Sequence, residues 1–354
     1  MNTKRLIPLI SGLMLAYGCI LAQNVTITPL GARSGEFCSP DRALLFEDPT
    51  GVRILYDPGM TVAGGTDPRL GNVDVVLVTH AHGDHLGSAK LNQDPSASSA
   101  RCDSQAAMTP TANSNAAEIA AAKHSAVIVS SELAAFLTGK IQGILGVPVS
   151  GCPASGSTNE LLLPLSQPCT GNIGYGAKRT IRNAGAAKGV QIALVAALHG
   201  NELPAQFLDD PLKSQLAANR LGHAPGLASG YVLMFTNGLR AYLSGDTGQM
   251  SDMQTVVKGF YGANLAVLNI GDIFTTGPEE AAFVINRLIR PEAVIPSHAN
   301  EVATTNGVVN PNTRTARFIQ LVREVAVYPP LSGVAMQFNG EGHCIAGCAG
   351  QKHE

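Results

Sequence analysis

Tryptophan is absent from this chain of 354 residues, aromatic residues make up 5% of it, and charged residues only 14%. So sparse a set of charges excludes a coiled coil or a long solvated helix, whose exposed faces need abundant Lys and Glu. No run of Lys or Arg occurs, and the formal charge is −2. Nucleic acid is therefore an unexpected partner, because its binding draws on clustered cations that neutralise phosphates. No fixed-period repeat is visible, which sets aside solenoids and propellers. What is plentiful is apolar residues, 45%, with 38 Gly and 21 Pro. That content fills a sizeable core and points to a loop-rich enzyme scaffold.

The first 22 residues predict a secretory signal: Lys4 and Arg5, an apolar stretch from Leu6 to Leu21, then Ala22 before Gln23. The stretch is interrupted by Ser11, Gly12, Tyr17 and Gly18, and so is poor as a spanning helix. An uncleaved anchor, or lipid attachment at Cys19, is the alternative. The expected mature protein is exported, periplasmic or extracellular, without stable membrane insertion. Loss of Lys4 and Arg5 takes its formal charge from −2 to −4. Six cysteines remain, Cys38, Cys102, Cys152, Cys169, Cys344 and Cys348. An even count in an exported chain suggests disulfides. Short intervals favour Cys152 with Cys169 and Cys344 with Cys348, leaving Cys38 for Cys102.

Strand-like segments are expected over 25–30, 43–46 and 52–56, with Asp48 to Gly51 as the turn between the last two. A solidly apolar run, Val73 to Val78, reads as a buried strand that delivers Thr79 and His80 at its end. Residues 88–123 read as an insertion near the site, ending in a short helix over 116–123. A strand over 126–129 and a helix over 131–145 follow, the latter opened by a serine cap. A second irregular insertion is expected over 147–187. Beyond it, strands are predicted over 191–198, 230–235, 239–243, 265–270, 293–295 and 333–338, with a hairpin at Asn237 and Gly238. Pro278 opens a helix to about 289 and Pro311 another to 325. The hydrolase domain is expected over 23–343, followed by a tail over 344–354.

Chemistry concentrates in Thr79-His80-Ala81-His82-Gly83-Asp84-His85, where three imidazoles and a carboxylate crowd into six residues at a strand end. The bland alternative is a polar loop of solvated histidines. Imidazole and carboxylate together suit zinc, manganese or iron, and a Gly-containing turn after a strand lets such side chains converge.

The HAHGDH segment resembles the signature of the metallo-β-lactamase superfamily. The resemblance implies an αββα four-layer fold of the α/β class, two mixed β-sheets flanked by helices. It also implies further ligands downstream, each after a strand, and each has a counterpart: His199, Asp246 in Ser244-Gly245-Asp246-Thr247-Gly248, and His298 after Ile295-Pro296-Ser297. By resemblance, His80, His82 and His199 would hold one metal and Asp84, His85 and His298 a second, with Asp246 between them. Gly230-Tyr231-Val232, Gly245-Asp246-Thr247-Gly248 and Ile270 through Ala282 are similar to the ascorbate-phosphate lactonase-like branch. Asp57, in Tyr56-Asp57-Pro58-Gly59, matches a family aspartate that lies beneath the ligands, where it can fix a ligand imidazole's orientation. Its alternative is a turn residue before proline. Asp272 is open between a similar role and a helix approach, and His124, His223, His343 and His353 read as structural or surface residues.

The activity implied is metal-dependent hydrolysis of an ester-like bond, a lactone, carboxylic ester or phosphodiester, in a small molecule. Two divalent ions, zinc first and manganese or iron as alternatives, would acidify a bridging water. Asp84 is the candidate to orient it and take its proton. Cleavage of a β-lactam is the second reading, iron-dependent sulfur or oxygen chemistry the third, and a non-catalytic metal-binding protein the last. Oligomeric state is not legible.

Overall fold

The computed structural model describes residues 24–154 and 159–348. The signal expected over 1–22 lies outside them. Two eight-stranded sheets carry the fold. The N-terminal sheet runs, edge to edge, Cys344–Ala346, Met336–Phe338, Val25–Pro29, Leu44–Glu47, Arg53–Tyr56, Val75–Leu77, Ala126–Val129 and Cys169–Asn172. The second runs Ala326–Val327, Ala293–Ser297, Leu265–Asn269, Arg240–Leu243, Ser229–Met234, Val190–Ala196, Lys178–Asn183 and Glu160–Leu163. Both are mixed: Leu44–Glu47 pairs antiparallel with Arg53–Tyr56, which pairs parallel with Val75–Leu77.

Alternation of side chains across each strand divides the core into three. Ile54, Tyr56, Val75 and Leu77 of one sheet face Ile192, Leu194, Tyr231 and Leu233 of the other. Their in-between neighbours point outward. Leu55, Val76 and Val127 pack under the helices Asn115–Lys123 and Ser131–Leu145, and Ala193, Val232 and Ala266 under helices that include Pro278–Phe283 and Arg314–Leu321. Helix, sheet, sheet and helix are thus stacked in four layers, the expected architecture. Among the described residues no helix is long and apolar enough to cross a membrane.

Several local expectations differ from the structure. Pro311 does not open its helix. Thr313 caps it, its hydroxyl accepting from Ala316 N at 3.1 Å, and the helix runs Arg314–Leu321. Residues 147–187 are less irregular than expected, since they supply Glu160–Leu163, Cys169–Asn172 and Lys178–Asn183. The segment set aside as a tail begins with the edge strand Cys344–Ala346. A helix over Met253–Phe260 was not foreseen, and Tyr261 N donates there to Val256 O in a widened turn. Disulfides join Cys38 to Cys102, Cys152 to Cys169 and Cys344 to Cys348.

Candidate metal centre

Strand direction gathers the chemistry at one edge of the sandwich. Arg53–Tyr56 and Val75–Leu77 run parallel and end at Asp57 and the HAHGDH loop. Arg240–Leu243 and Ala293–Ser297 both run parallel to Leu265–Asn269, and Val190–Ala196 shares their direction through two antiparallel steps. They end near Asp246, His298 and His199 respectively. Hydrogen bonds stitch the sheets at this edge: Ser229 N and Oγ donate to Thr79 O at 3.0 and 2.8 Å, and Gly245 N to Tyr56 Oη at 3.0 Å. Close backbone approach needs glycine at two places. A side chain at Gly59 would strike the Asp84 carbonyl, and one at Gly245 would strike Thr79, and both glycines have positive φ.

The seven sequence-predicted residues come together in two groups, His80, His82 and His199, and Asp84, His85, Asp246 and His298. In each group the donor atoms lie within 4.8 Å of one another. Asp246 stands between the groups: its Oδ2 is 2.9 Å from His298 Nε2, 3.6 Å from His199 Nε2 and 3.9 Å from His80 Nε2, and its Oδ1 is 3.3 Å from His85 Nε2. His298 itself has a left-handed backbone, φ 50°, an uncommon state for a bulky residue outside functional sites.

Buried charge is dense here. Burial pushes the His80 imidazole well below its ordinary range, and the neighbouring charge of His85 adds to this. Burial also lowers His199. It acts against the charged form of His85 too, but Asp246, Asp84 and Asp57 outweigh it and hold that imidazole well above its usual value. Burial would raise Asp84 and Asp246, yet His85 first, and His298 beside it, hold both carboxyls well below the usual range. Among the described residues His80 Nε2, His85 Nε2 and Asp246 Oδ1 are buried without a well-formed hydrogen bond, the last two facing each other at 3.3 Å as a carboxylate and an imidazole do across a shared ion. Unpaired buried polar atoms are costly and rare, and three gathered where the two donor groups adjoin are what bound cations would satisfy. The donor set therefore fits divalent metal.

The neighbours that hold these donors are less visible in the sequence. Asp57 is fully buried with φ 39°. It accepts Thr79 N on Oδ1 at 2.8 Å, and on Oδ2 it accepts Thr79 Oγ1 at 2.9 Å and His85 Nδ1 at 2.8 Å. Thr79 Oγ1, having donated to Asp57, accepts from His80 Nδ1 at 3.0 Å. Both contacts call for a proton on Nδ1, so Nε2 is the nitrogen that each imidazole would offer to a cation in the cluster. His82 presents the other nitrogen: its Nδ1 lies 3.2 Å from His199 Nε2, and its Nε2 lies 3.2 Å from Glu202 Oε2.

Three residues near the centre were not anticipated. Glu202 backs His82. Asn201 accepts Ala81 N at 2.6 Å, pinning the loop after Val190–Ala196 to the HAHGDH segment. Arg42, buried, donates from Nε to Asp84 Oδ2 at 3.2 Å and from Nη2 to Asn300 Oδ1 at 2.7 Å. Only the cue of a polar residue close to a histidine marks the first two, and nothing local marks Arg42, which is 258 residues from Asn300. Asp272 touches none of the donors and accepts Ile273 N in its own loop at 2.7 Å. His124 closes a helix with φ 54°, and His223 and His343 lie at the surface. His353 is outside the described residues.

In front of the donors opens a cavity of about 590 Å³, lined by His82, Asp84, His199, Asp246 and His298 together with residues 271–274, Asn300 and Arg314. Among the described residues, neither of the two segments expected as insertions lines it.

A family model described as a beta-lactamase superfamily domain matches residues 41–298, from just before Arg42 to His298. The chain is 28% identical over 257 residues to a UPF0173 metal-dependent hydrolase of Cupriavidus necator, covering 71% of this chain and 68% of the relative. It is 27% identical over 299 residues to another of that description from Polynucleobacter asymbioticus, covering 82% and 81%. Among solved structures it is similar to Igni18, a metallo hydrolase of the archaeon Ignicoccus hospitalis, with TM-score 0.50 and 22% identity over 89% of this chain and 100% of that one. With a matched span of well over half its length, an αββα sandwich and this cluster at the sandwich edge, the chain belongs to the β-lactamase superfamily and has the metallo-β-lactamase fold.

Proposed function

We propose that this metal-dependent hydrolase binds two divalent cations, one at His80, His82 and His199 and one at Asp84, His85 and His298, with Asp246 shared. We propose that it cleaves an ester-like bond in a small molecule. The observation that carries this reading is the set of buried, unpartnered ligand atoms in two adjoining groups at the mouth of the cavity. Bound divalent cations would supply Lewis acidity and lower the pKa of a coordinated water.

The protein's own residues do the rest. Asp84 remains a carboxylate, because His85, His298 and Arg42 surround it. Arg42 and His298 both engage Oδ2, so Oδ1, which accepts nothing among the described residues, is left to orient the attacking water. A carboxyl held so far below its usual range is a weak base, so orientation is its larger contribution and proton uptake the lesser. Asp57 and Thr79 set the tautomers of His85 and His80. Arg42 ties Asp84 to Asn300, which lines the cavity, and so fixes the carboxylate relative to bound substrate.

The test is metal analysis of the purified chain beside a panel of lactones, aryl esters, bis-aryl phosphates and a chromogenic cephalosporin. Two zinc or manganese per chain are expected, with ester-type turnover that falls about 10²- to 10⁴-fold in Asp84→Ala. One iron per chain with no hydrolysis would overturn the proposal, and turnover of the cephalosporin alone would replace the ester reading with amide cleavage.

A further inference from the structure

The cavity continues past the metal-ligand candidates to a wall of different chemistry. Ile273 and Phe274 line it and are 81% and 75% exposed, among the most exposed large apolar side chains of the described residues. Their display is imposed by backbone rather than by lack of a place to go. Asp272 and Ile273 both have φ 63°, and a β-branched residue in that region is a true outlier. Phe274 N donating to Asp272 O at 2.8 Å holds the tip in this shape. Strain that keeps two apolar side chains in water beside a reactive centre marks a surface kept for a ligand.

Arg314 supplies the second feature. It opens the helix Arg314–Leu321, and the nearby Glu301 carboxylate accepts Arg314 N and Thr315 N, each at 2.9 Å, and Thr315 Oγ1 at 3.0 Å. With its oxygens engaged at the helix start, Glu301 comes no nearer than 3.9 Å to the guanidinium. Among the described residues the one hydrogen bond of that guanidinium is a long one, Nη1 to Ala299 O at 3.4 Å. Nε and Nη2 donate to nothing among the described residues. The contrast with Arg42, whose Nε, Nη1 and Nη2 are all engaged, is plain. Asp272 also lines the cavity, but its Oδ1 is taken by Ile273 N. A guanidinium with two open donors in a cleft is built to take an oxyanion in a forked pair.

We infer that the substrate carries, apart from the scissile bond, a carboxylate or phosphate that docks on Arg314 and an apolar chain or ring that lies against Ile273 and Phe274. The inference rests on the hydrolase reading for the role of the cavity, and it narrows the substrate to anionic, amphipathic esters. Arg314 is then a specificity residue: its loss weakens binding of anionic substrates and leaves the chemistry at the metals in place.

The experiment is calorimetric titration of the full, metal-loaded chain with hexanoate, hexyl phosphate, hexanol and acetate, with metal content measured on the same samples. One or both hexyl anions should bind at least about tenfold more tightly than acetate or hexanol, and their ratio separates carboxylate from phosphate. Arg314→Gln should remove about tenfold of the anion affinity, Arg314→Lys should recover part of it, and Phe274→Ser should bring hexanoate toward acetate. Hexyl anions no tighter than acetate, or anion binding unchanged in Arg314→Gln, would overturn the inference while a content of two metals leaves the hydrolase reading standing. Arg314-dependent binding in a chain that retains no metal would sustain the anion site and sink that reading instead.

Discussion

Asp57→Asn is the most informative single change, because it alters one atom's hydrogen-bonding sense and almost no shape. Asparagine tolerates the φ of 39° at this position, and Oδ1 can still accept Thr79 N, so the turn before Pro58 is preserved. The atom that replaces Oδ2 becomes an NH₂ that can only donate, and it faces Thr79 Oγ1 and His85 Nδ1. His85 must then give up its Nδ1 proton and carry it on Nε2, the atom aimed at the cluster. Thr79, now accepting from the amide, turns its own proton toward His80 Nδ1 and inverts that imidazole as well. Both changes place a proton where a cation would bind. Loss of such a supporting carboxylate costs about 10- to 100-fold in metal affinity, or about 1.4 to 2.8 kcal/mol for each affected group. Thr79→Val interrupts only the branch to His80 and should weaken only the group formed with His82 and His199. Chelator-competition titrations of the two variants and the parent, with circular dichroism to verify the fold, measure this. Two unchanged affinities in a folded Asp57→Asn protein would refute the tautomer argument, as would a Thr79→Val variant that weakened both groups equally.

Smaller and separable effects follow from other contacts. Glu202 holds His82 Nε2 from a half-exposed position, so Glu202→Ala should weaken the first metal by about tenfold or less, read by the same competition titration. Burial would raise the Asp67 carboxyl, but the bonds and charge of Arg69 outweigh it and hold it below 3.8. That contribution to stability is present above the unfolded value and fades as pH falls through the lower folded one. Urea midpoints in chelator should therefore show Asp67→Asn less stable by about 1.5 to 3 kcal/mol at pH 7, since Arg69 loses its carboxylate and keeps only the carbonyls of Gly31 and Thr61, with the gap narrowing below about pH 4; an equal gap at both pH values refutes it. Cys38 and Cys102 are 64 residues apart, so removing their disulfide in the double alanine variant should cost about 4 kcal/mol by chain entropy, measured by denaturant unfolding.

Why the ligands were legible and their supports were not is a matter of locality. Each ligand follows a solid apolar run such as Val73 to Val78, and a buried strand must end in a loop. Histidine and aspartate at that place therefore stand out from their own neighbours. Lys178–Asn183 looks irregular in sequence because Lys, Arg, Thr, Arg and Asn surround a single Ile181. The structure pairs the strand on both sides and buries Arg179, whose Nη2 donates to Cys152 O at 3.0 Å. Its polarity records a partner that only the fold supplies. Arg42 is hidden for the same reason: nothing in its surroundings announces Asp84, which reaches it only once Leu44–Glu47 and Val75–Leu77 share a sheet, or Asn300, which the second sheet delivers. Asp57 shows the intermediate case. Its neighbours Pro58 and Gly59 support a turn residue as well as a supporting carboxylate, and the structure makes these one thing: the left-handed turn aims both oxygens back at Thr79 and His85. A residue's local reading and its remote reading need not compete, and where one geometry satisfies both, a substitution that preserves the turn while reversing the hydrogen bond separates them.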